Sequence, residues 1–108
     1  MTEQKPGKAS TREALAATTA MIRRKKIRTP LRLFNTYRGE FVEAFLNADG
    51  TVRMGDQTFT SVSTAAAAAR VKVAGEFAGR KYPQTNGWTF WHFVDDAGAR
   101  QLLDSLRK

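Results

Sequence analysis

The spacing of apolar residues alternates between helical and strand periods along the chain. Residues 1–10 carry no large apolar group apart from Met1 and predict a disordered leader. Ser10 or Thr11 can cap a helix over residues 12–26, with Glu13 in its first turn. Leu15, Met21 and Ile22 are its only large apolar groups, a narrow stripe that predicts light packing, and Thr29-Pro30 ends it. From Leu31 the period becomes two. Leu31, Leu33 and Phe34 open a strand, and Tyr37-Arg38-Gly39-Glu40 turns it. Val42, Ala44 and Leu46 form one face of the next strand, with Phe41, Glu43 and Phe45 on the other. Asn47-Ala48-Asp49-Gly50 is a hairpin turn. Val52 and Met54 continue a third strand, and after Gly55-Asp56 the segment Thr58-Phe59-Thr60 is short and extended.

Helical spacing returns at Ser61-Val62-Ser63-Thr64, where Ser61 or Ser63 is the cap. Val62, Ala65, Ala66, Ala69 and Val73 make a small, smooth face. Residues 74–85 read as a long, mobile basic loop. Next comes Asn86-Gly87-Trp88-Thr89-Phe90-Trp91-His92-Phe93, with both tryptophans and the single histidine. Strand parity would set Trp88, Phe90 and His92 on one face and Thr89, Trp91 and Phe93 on the other. Asp95-Asp96 turns the chain and caps a last helix, in which Ala99, Leu102, Leu103 and Leu106 share one side. These elements predict an α+β fold: a small antiparallel β-meander sheet with an N-terminal helix, a middle Ala-rich helix and a C-terminal helix packed on it. One domain is expected over residues 11–108, after the leader.

Charge narrows the choice of partner. Within the net +8, residues 1–30 hold eight cations against Glu3 and Glu13, a net +6. A concentrated basic block favours a polyanion, nucleic acid above all, although such a block also serves as a solvated tail. Without cysteine there is no disulfide, thiolate nucleophile or thiolate metal site. No apolar run reaches membrane-spanning length, so no membrane partner is expected. The expected location is cytoplasmic and nucleoid-associated.

Enzymatic chemistry is not apparent. The carboxylates lie mostly at turns and on exposed faces, and His92 stands alone as a strand histidine. No catalytic residue, metal ligand or cofactor is therefore expected. Three features suit nucleic-acid recognition instead. Ser61 at a helix start offers a hydroxyl and backbone N–H groups to a phosphate, or is simply a cap. The Asn86 amide can pair with a base edge, or only shape a turn. Trp88 or Trp91 can cover a base or its methyl group, and one of the two is expected in the core.

Residues Gly39, Val42, Ala44 and Leu46, then Asp49-Gly50, then Phe59 and Ser61, then Asn86-Gly87-Trp88 with Trp91, and finally Leu103, Leu106 and Arg107 form a pattern. It resembles the RAMA domain, the restriction-enzyme adenine methylase associated domain. The run from Asn86 to Phe93 is similar to the C-terminal domain of cell-cycle-regulated DNA adenine methyltransferases. The resemblance covers roughly residues 12–108. It implies DNA binding and a fused or associated restriction-modification enzyme as partner. In some relatives it implies reading of methylated DNA. The serine, asparagine and first tryptophan needed for DNA contact in the methyltransferase relatives fall on Ser61, Asn86 and Trp88. Val62 stands where many relatives have proline, and the loop before Asn86 is longer than in compact relatives.

The expected function is a double-stranded DNA-binding module that recognises a modified, methylated base. Its reading end is Ser61, Ser63, Asn86, Gly87, Trp88 and Trp91. Its phosphate contacts are Arg23, Arg24, Lys25, Lys26, Arg28, Arg70, Lys72, Arg80 and Lys81. The alternatives are a protein-interaction module that uses the aromatic face, and an RNA-binding protein. Salt dependence separates the first from DNA binding, and competition with single-stranded RNA separates the second.

Overall fold

The computed structural model describes residues 4–75 and 85–107 and, within the first helix, the side chains of residue 13 and of residue 15 onward. Six antiparallel strands form one sheet: β1 (Leu31–Tyr37), β2 (Glu40–Leu46), β3 (Val52–Met54), β4 (Gln57–Phe59), β5 (His92–Val94) and β6 (Arg100–Leu102). Their order is β4-β3-β2-β1-β5-β6. Helix α1 (Gln4–Arg24), helix α2 (Val62–Ala74), the single turn α3 (Gly87–Phe90) and a terminal 3-10 helix (Leu103–Arg107) complete the chain. The α+β class and the meander of β1 to β4 match the sequence pattern.

The sheet's core face follows the period of two. Leu33 of β1 pairs with Ala44 of β2, and both are fully buried together with Leu46 and Val52. Met21 and Ile22 of α1, Phe59, Phe90, Trp91, Phe93 and Leu103 join the same cluster. Helix α2 contributes Val62 and every alanine from Ala65 to Ala69. A helix with one exposed side would bury only the Val62–Ala65–Ala66–Ala69 stripe. Ala67 and Ala68 are also covered because α2 touches β2, β3 and β4 and also meets α3.

Three local expectations are corrected. Helix α1 starts at Gln4 rather than after Ser10 or Thr11. Pro6 falls in its first turn, where an N–H has no intrahelical acceptor and its loss matters little. The helix closes well before Pro30. Ile27 N donates to Ile22 O (3.0 Å) and Lys26 N to Arg23 O (3.2 Å), with Lys26 at φ 54°. This is a Schellman ending, in which Ile27 packs back against the core.

The aromatic run is not one strand. Its first half is the turn α3 and only His92–Val94 is extended, so the parity assigned to Trp88, Phe90 and His92 does not hold. The C-terminal helix is present but shorter than the pattern suggests: it is a 3-10 helix over Leu103–Arg107, residues 100–102 are strand β6, and Asp95 shapes the β5–β6 turn instead of capping a helix. Its carboxylate accepts from Ala97 N (3.0 Å), Ala99 N (2.8 Å) and Gln101 Nε2 (3.0 Å). These bonds, the one from Ala99 foremost, hold its pKa below the ordinary carboxylate value.

His92 of β5 carries a testable electrostatic load. Its Nδ1 is buried without a hydrogen-bond partner among the described residues. Burial, and after it the charge of Arg100, lowers its pKa below the ordinary 6.5, against a backbone hydrogen bond with Phe34 that opposes the shift. The folded protein then binds fewer protons here than the unfolded chain just below pH 6.5. Stability from this group is complete above the unfolded-state value and is lost as pH falls from there through the lower folded value. Urea midpoints should drop between about pH 7.5 and pH 5.5, and His92→Phe should flatten that drop. Asp49 and Asp95, with lowered folded pKa values, lose their contributions only below the carboxylate range. An equal drop in the variant would exclude His92 as the cause.

Candidate nucleic-acid interface

Two segments far apart in sequence meet at the start of α2. Ser61 is the N-cap: its Oγ accepts from Thr64 N at 3.0 Å and lies 3.0 Å from the Thr64 hydroxyl. The cap thereby holds the Thr64 N–H, while Ser63 N lies against Gly87. Ser63 has a different task. Its Oγ accepts from Gly87 N at 2.8 Å, which ties the helix start to the Asn86-Gly87 segment.

The two backbones touch there. A Cβ built on Gly87 would overlap the Val62 carbonyl and stand 2.6 Å from Ser63 N. Only glycine permits this approach, so Gly87 is required by steric contact and not by a positive φ. The Trp91 indole closes the joint from the core side, with Nε1 donating to Val62 O at 3.0 Å. Its ring is 0% exposed and meets Phe90 edge-on at 4.9 Å. Trp91 is therefore the core tryptophan. It cannot cover a base, and its expected place at the reading end is corrected to that of a brace beneath it.

Asn86 and Trp88 remain on the accessible side. Asn86 caps α3, with Oδ1 accepting from Trp88 N at 3.0 Å. This use of Oδ1 leaves the amide Nδ2 directed to a donor role. Trp88 is half-buried and packs on the core cluster. The Arg107 guanidinium carbon stands 4.5 Å from its ring centroid. Trp88, Arg107 and Arg24 line a cavity of about 400 Å³ with Ala17, Thr18 and Met21 of α1. Arg107, whose Nε and Nη2 donate to Asp104, stands over the indole, and Arg24 adds a second cation to the cavity lining.

The remaining cations scatter. Arg23, at the end of α1, is exposed. Lys25, Lys26 and Arg28 line a second cavity of about 510 Å³, which also includes Asp95 and Asp96. Arg70 donates Nε to the Tyr37 hydroxyl (3.1 Å) and Nη1 to Thr85 Oγ1 (2.8 Å). Arg70 thus anchors the residue just before Asn86, and its hydrogen bond leads the effects that lower the Tyr37 pKa. Lys72 lines a cavity with Glu40, Phe41 and Glu43, apart from the Trp88 cavity. Ala74 ends α2 and Gly75 caps it, so the expected loop does not begin at 74; residues 76–84, with Arg80 and Lys81, lie outside the described residues.

The structure brings together Ser61, Ser63, Asn86, Gly87 and Trp88 and adds Arg24 from the basic block. Sequence reasoning did not place Arg107 at this site. Its signal was a cation following the Leu103 and Leu106 spacing, which also suits an ordinary helix end.

A family model described as Restriction Enzyme Adenine Methylase Associated, RAMA, matches residues 1–108, the whole chain. The chain belongs to the RAMA family. The family's name connects this RAMA chain with restriction enzymes and adenine methylases, and marks the domain as an associated one. No match was found among curated proteins. Among the described residues of the RAMA chain, no three His, Cys, Asp or Glu side chains gather as metal ligands, and no helix is long and apolar enough to cross a membrane.

Proposed function

We propose that this RAMA chain is a double-stranded DNA-binding module that reads a methylated base, with no catalytic role of its own. The observation that carries this is the joint between the α2 start and Asn86-Gly87-Trp88, held by Ser63 to Gly87 N at 2.8 Å. It gathers the three elements that base recognition needs. The Ser61 hydroxyl at the start of α2 serves a phosphate. The Asn86 Nδ2 donates to an acceptor on a base edge. The Trp88 plate covers a methyl group, with Arg24 and Arg107 beside it for the backbone. Arg23, Lys25, Lys26 and Arg28 supply phosphate contacts from the end of α1. A restriction-modification enzyme, fused or associated, would supply the chemistry.

Fluorescence anisotropy on matched duplexes tests both parts. The duplexes would be unmodified or carry N6-methyladenine, 5-methylcytosine or 5-hydroxymethylcytosine, each at two salt concentrations. Binding should weaken steeply with salt, and each phosphate contact removed, as in Arg23→Gln or Arg24→Gln, should lower the salt slope by about one. One methylated duplex should bind more tightly than the rest by about ten-fold or more, since one methyl contact is worth about 1–3 kcal/mol. Trp88→Ala should erase that preference. Equal affinity for every duplex would sink the reader role and leave a general DNA-binding module. Salt-independent binding, or none, would sink both.

A further inference from the structure

The sheet's second face, opposite the helices, has an order of its own. Pairing sets Arg53 beside Phe45, Phe45 beside Arg32, and Val94 beside Arg100. Phe34 opposite His92 in antiparallel register brings Val94 level with Arg32. One row therefore crosses five strands as Arg53, Phe45, Arg32, Val94, Arg100. Its arginines sit on β3, β1 and β6, every second strand, about 10 Å apart for strands spaced about 4.8 Å. Beside this row lie three nearly parallel rings. Phe34 is 6.3 Å from Phe41 and 6.2 Å from His92, at interplanar angles of 21° and 27°. Guanidinium groups hover over the rings: Arg32 at 5.0 Å from Phe34, Arg100 at 5.6 Å from Phe34 and Arg53 at 5.3 Å from Phe45. Phe41 is 57% exposed, Val94 49% and Leu102 40%.

We propose that this face is a second nucleic-acid surface, one that takes single-stranded DNA, with bases seated on the Phe41, Phe34 and His92 rings and phosphates on Arg32, Arg53 and Arg100.

Charge and ring geometry favour this occupant. A merely solvated face would alternate polar side chains with the core residues, yet β2 presents Phe41 and Phe45 there. Glu43 is the one carboxylate among the described strand residues of this face, and it is already paired with Arg32. A second copy of the chain would set arginines against arginines. A carboxylate-bearing protein would satisfy the arginines but has no need of evenly spaced parallel rings. Bases have that need, because each has a π-face and stacks on an aromatic side chain without regard to sequence. Bases stacked on one another lie about 3.4 Å apart. The rings here are nearly twice as far apart, so a strand using them is drawn out, each base on its own ring. Thymine runs, which stack weakly on themselves, fit best. The choice of DNA over RNA rests on the duplex-binding proposal above. The rings and arginines themselves do not, since they lie on the opposite side of the sheet from α2 and α3.

The test uses the full chain with labelled oligothymidylate, an abasic oligonucleotide of equal length, oligouridylate, a polyglutamate peptide and the duplexes already described. Oligothymidylate should bind, and the abasic strand should bind far more weakly. Phe41→Ala and Phe34→Leu should each weaken oligothymidylate binding by about five-fold or more while duplex affinity is unchanged. Trp88→Ala should do the reverse. Circular dichroism confirms that each variant is folded, and Phe41→Ala, at an exposed position, is the arm least able to disturb the core.

No binding of oligothymidylate, equal binding of the abasic strand, or indifference to both ring variants would overturn the proposal. Tighter binding of polyglutamate would replace DNA with a protein partner, and oligouridylate binding as tightly would remove the preference for DNA. Ring-dependent oligothymidylate binding without duplex binding would overturn only the earlier proposal.

Discussion

Gly87→Ala should destabilise the domain by about 3 kcal/mol or more, far beyond the usual cost of replacing a glycine. The added methyl has nowhere to go. Its nearest neighbours are the Val62 carbonyl and Ser63 N, backbone atoms at the start of α2 that cannot rotate aside. Either α2 shifts or the Asn86–Trp88 segment lifts away, and both break the Ser63 to Gly87 hydrogen bond. For a domain of this size the loss corresponds to a fall of about 12 °C or more in Tm. Gly39→Ala is the control. Gly39 sits in the β1–β2 turn at φ +82° with nothing within 4 Å of a built Cβ. Its substitution carries only a backbone penalty of about 1 kcal/mol. Thermal unfolding of the two variants compares close approach with conformational strain directly. If Gly87→Ala melts no lower than Gly39→Ala, the backbone contact is not what holds the joint.

Trp91→Ala should be of similar size, about 3–5 kcal/mol, a large part of the roughly 5–15 kcal/mol that holds a domain folded. The indole is among the largest fully buried side chains and fills the space between the α2 start and β5. Trp91→Phe separates its two contributions. The smaller ring keeps most of the packing and loses the Nε1 bond to Val62 O, for an expected loss of about 1–3 kcal/mol. Urea unfolding should therefore rank wild type, Trp91→Phe and Trp91→Ala in that order. DNA affinity at saturating fold should change little in Trp91→Phe, because no face of the indole reaches solvent. A Trp91→Ala protein as stable as wild type would show that the joint is closed by something other than this ring.

The meander and the middle helix were legible because each has redundant signals. Val42, Ala44 and Leu46 alternate cleanly, glycine-bearing turns bound the strands, and Ser61 precedes the alanines. The aromatic run was illegible for the opposite reason. When every residue from Trp88 to Phe93 except Thr89 is large and ring-bearing, alternation carries no information, and the Asn86 N-cap and the contact of Gly87 with Val62 decide for helix. At the C-terminus, Leu102, Leu103 and Leu106 mimic an amphipathic helix, but Leu102 lies on β6. Only the three-residue step from Leu103 to Leu106 is real, and it suits a 3-10 turn.

The site was legible in residue type and not in arrangement. Ser61, Asn86 and Trp88 stand out by chemistry, whereas the division of labour between Trp88 and Trp91 depends on which one α2 covers. The arginine row on the open face is invisible until the register is known, since Arg32, Arg53 and Arg100 are spread over most of the chain.

The contrast between the two indoles also divides the protein's intrinsic fluorescence. Trp91 emits from a dry, hydrogen-bonded site sealed from solutes. Trp88 is half-buried at a cavity that Arg24 and Arg107 also line, where a quencher such as iodide reaches it. Emission at the blue edge then reports on the folded core, while the iodide-sensitive red edge reports on occupancy of the cavity that Trp88 lines. Unlabelled protein thus carries a probe of folding and a probe of ligand binding on the same chain, three residues apart in sequence.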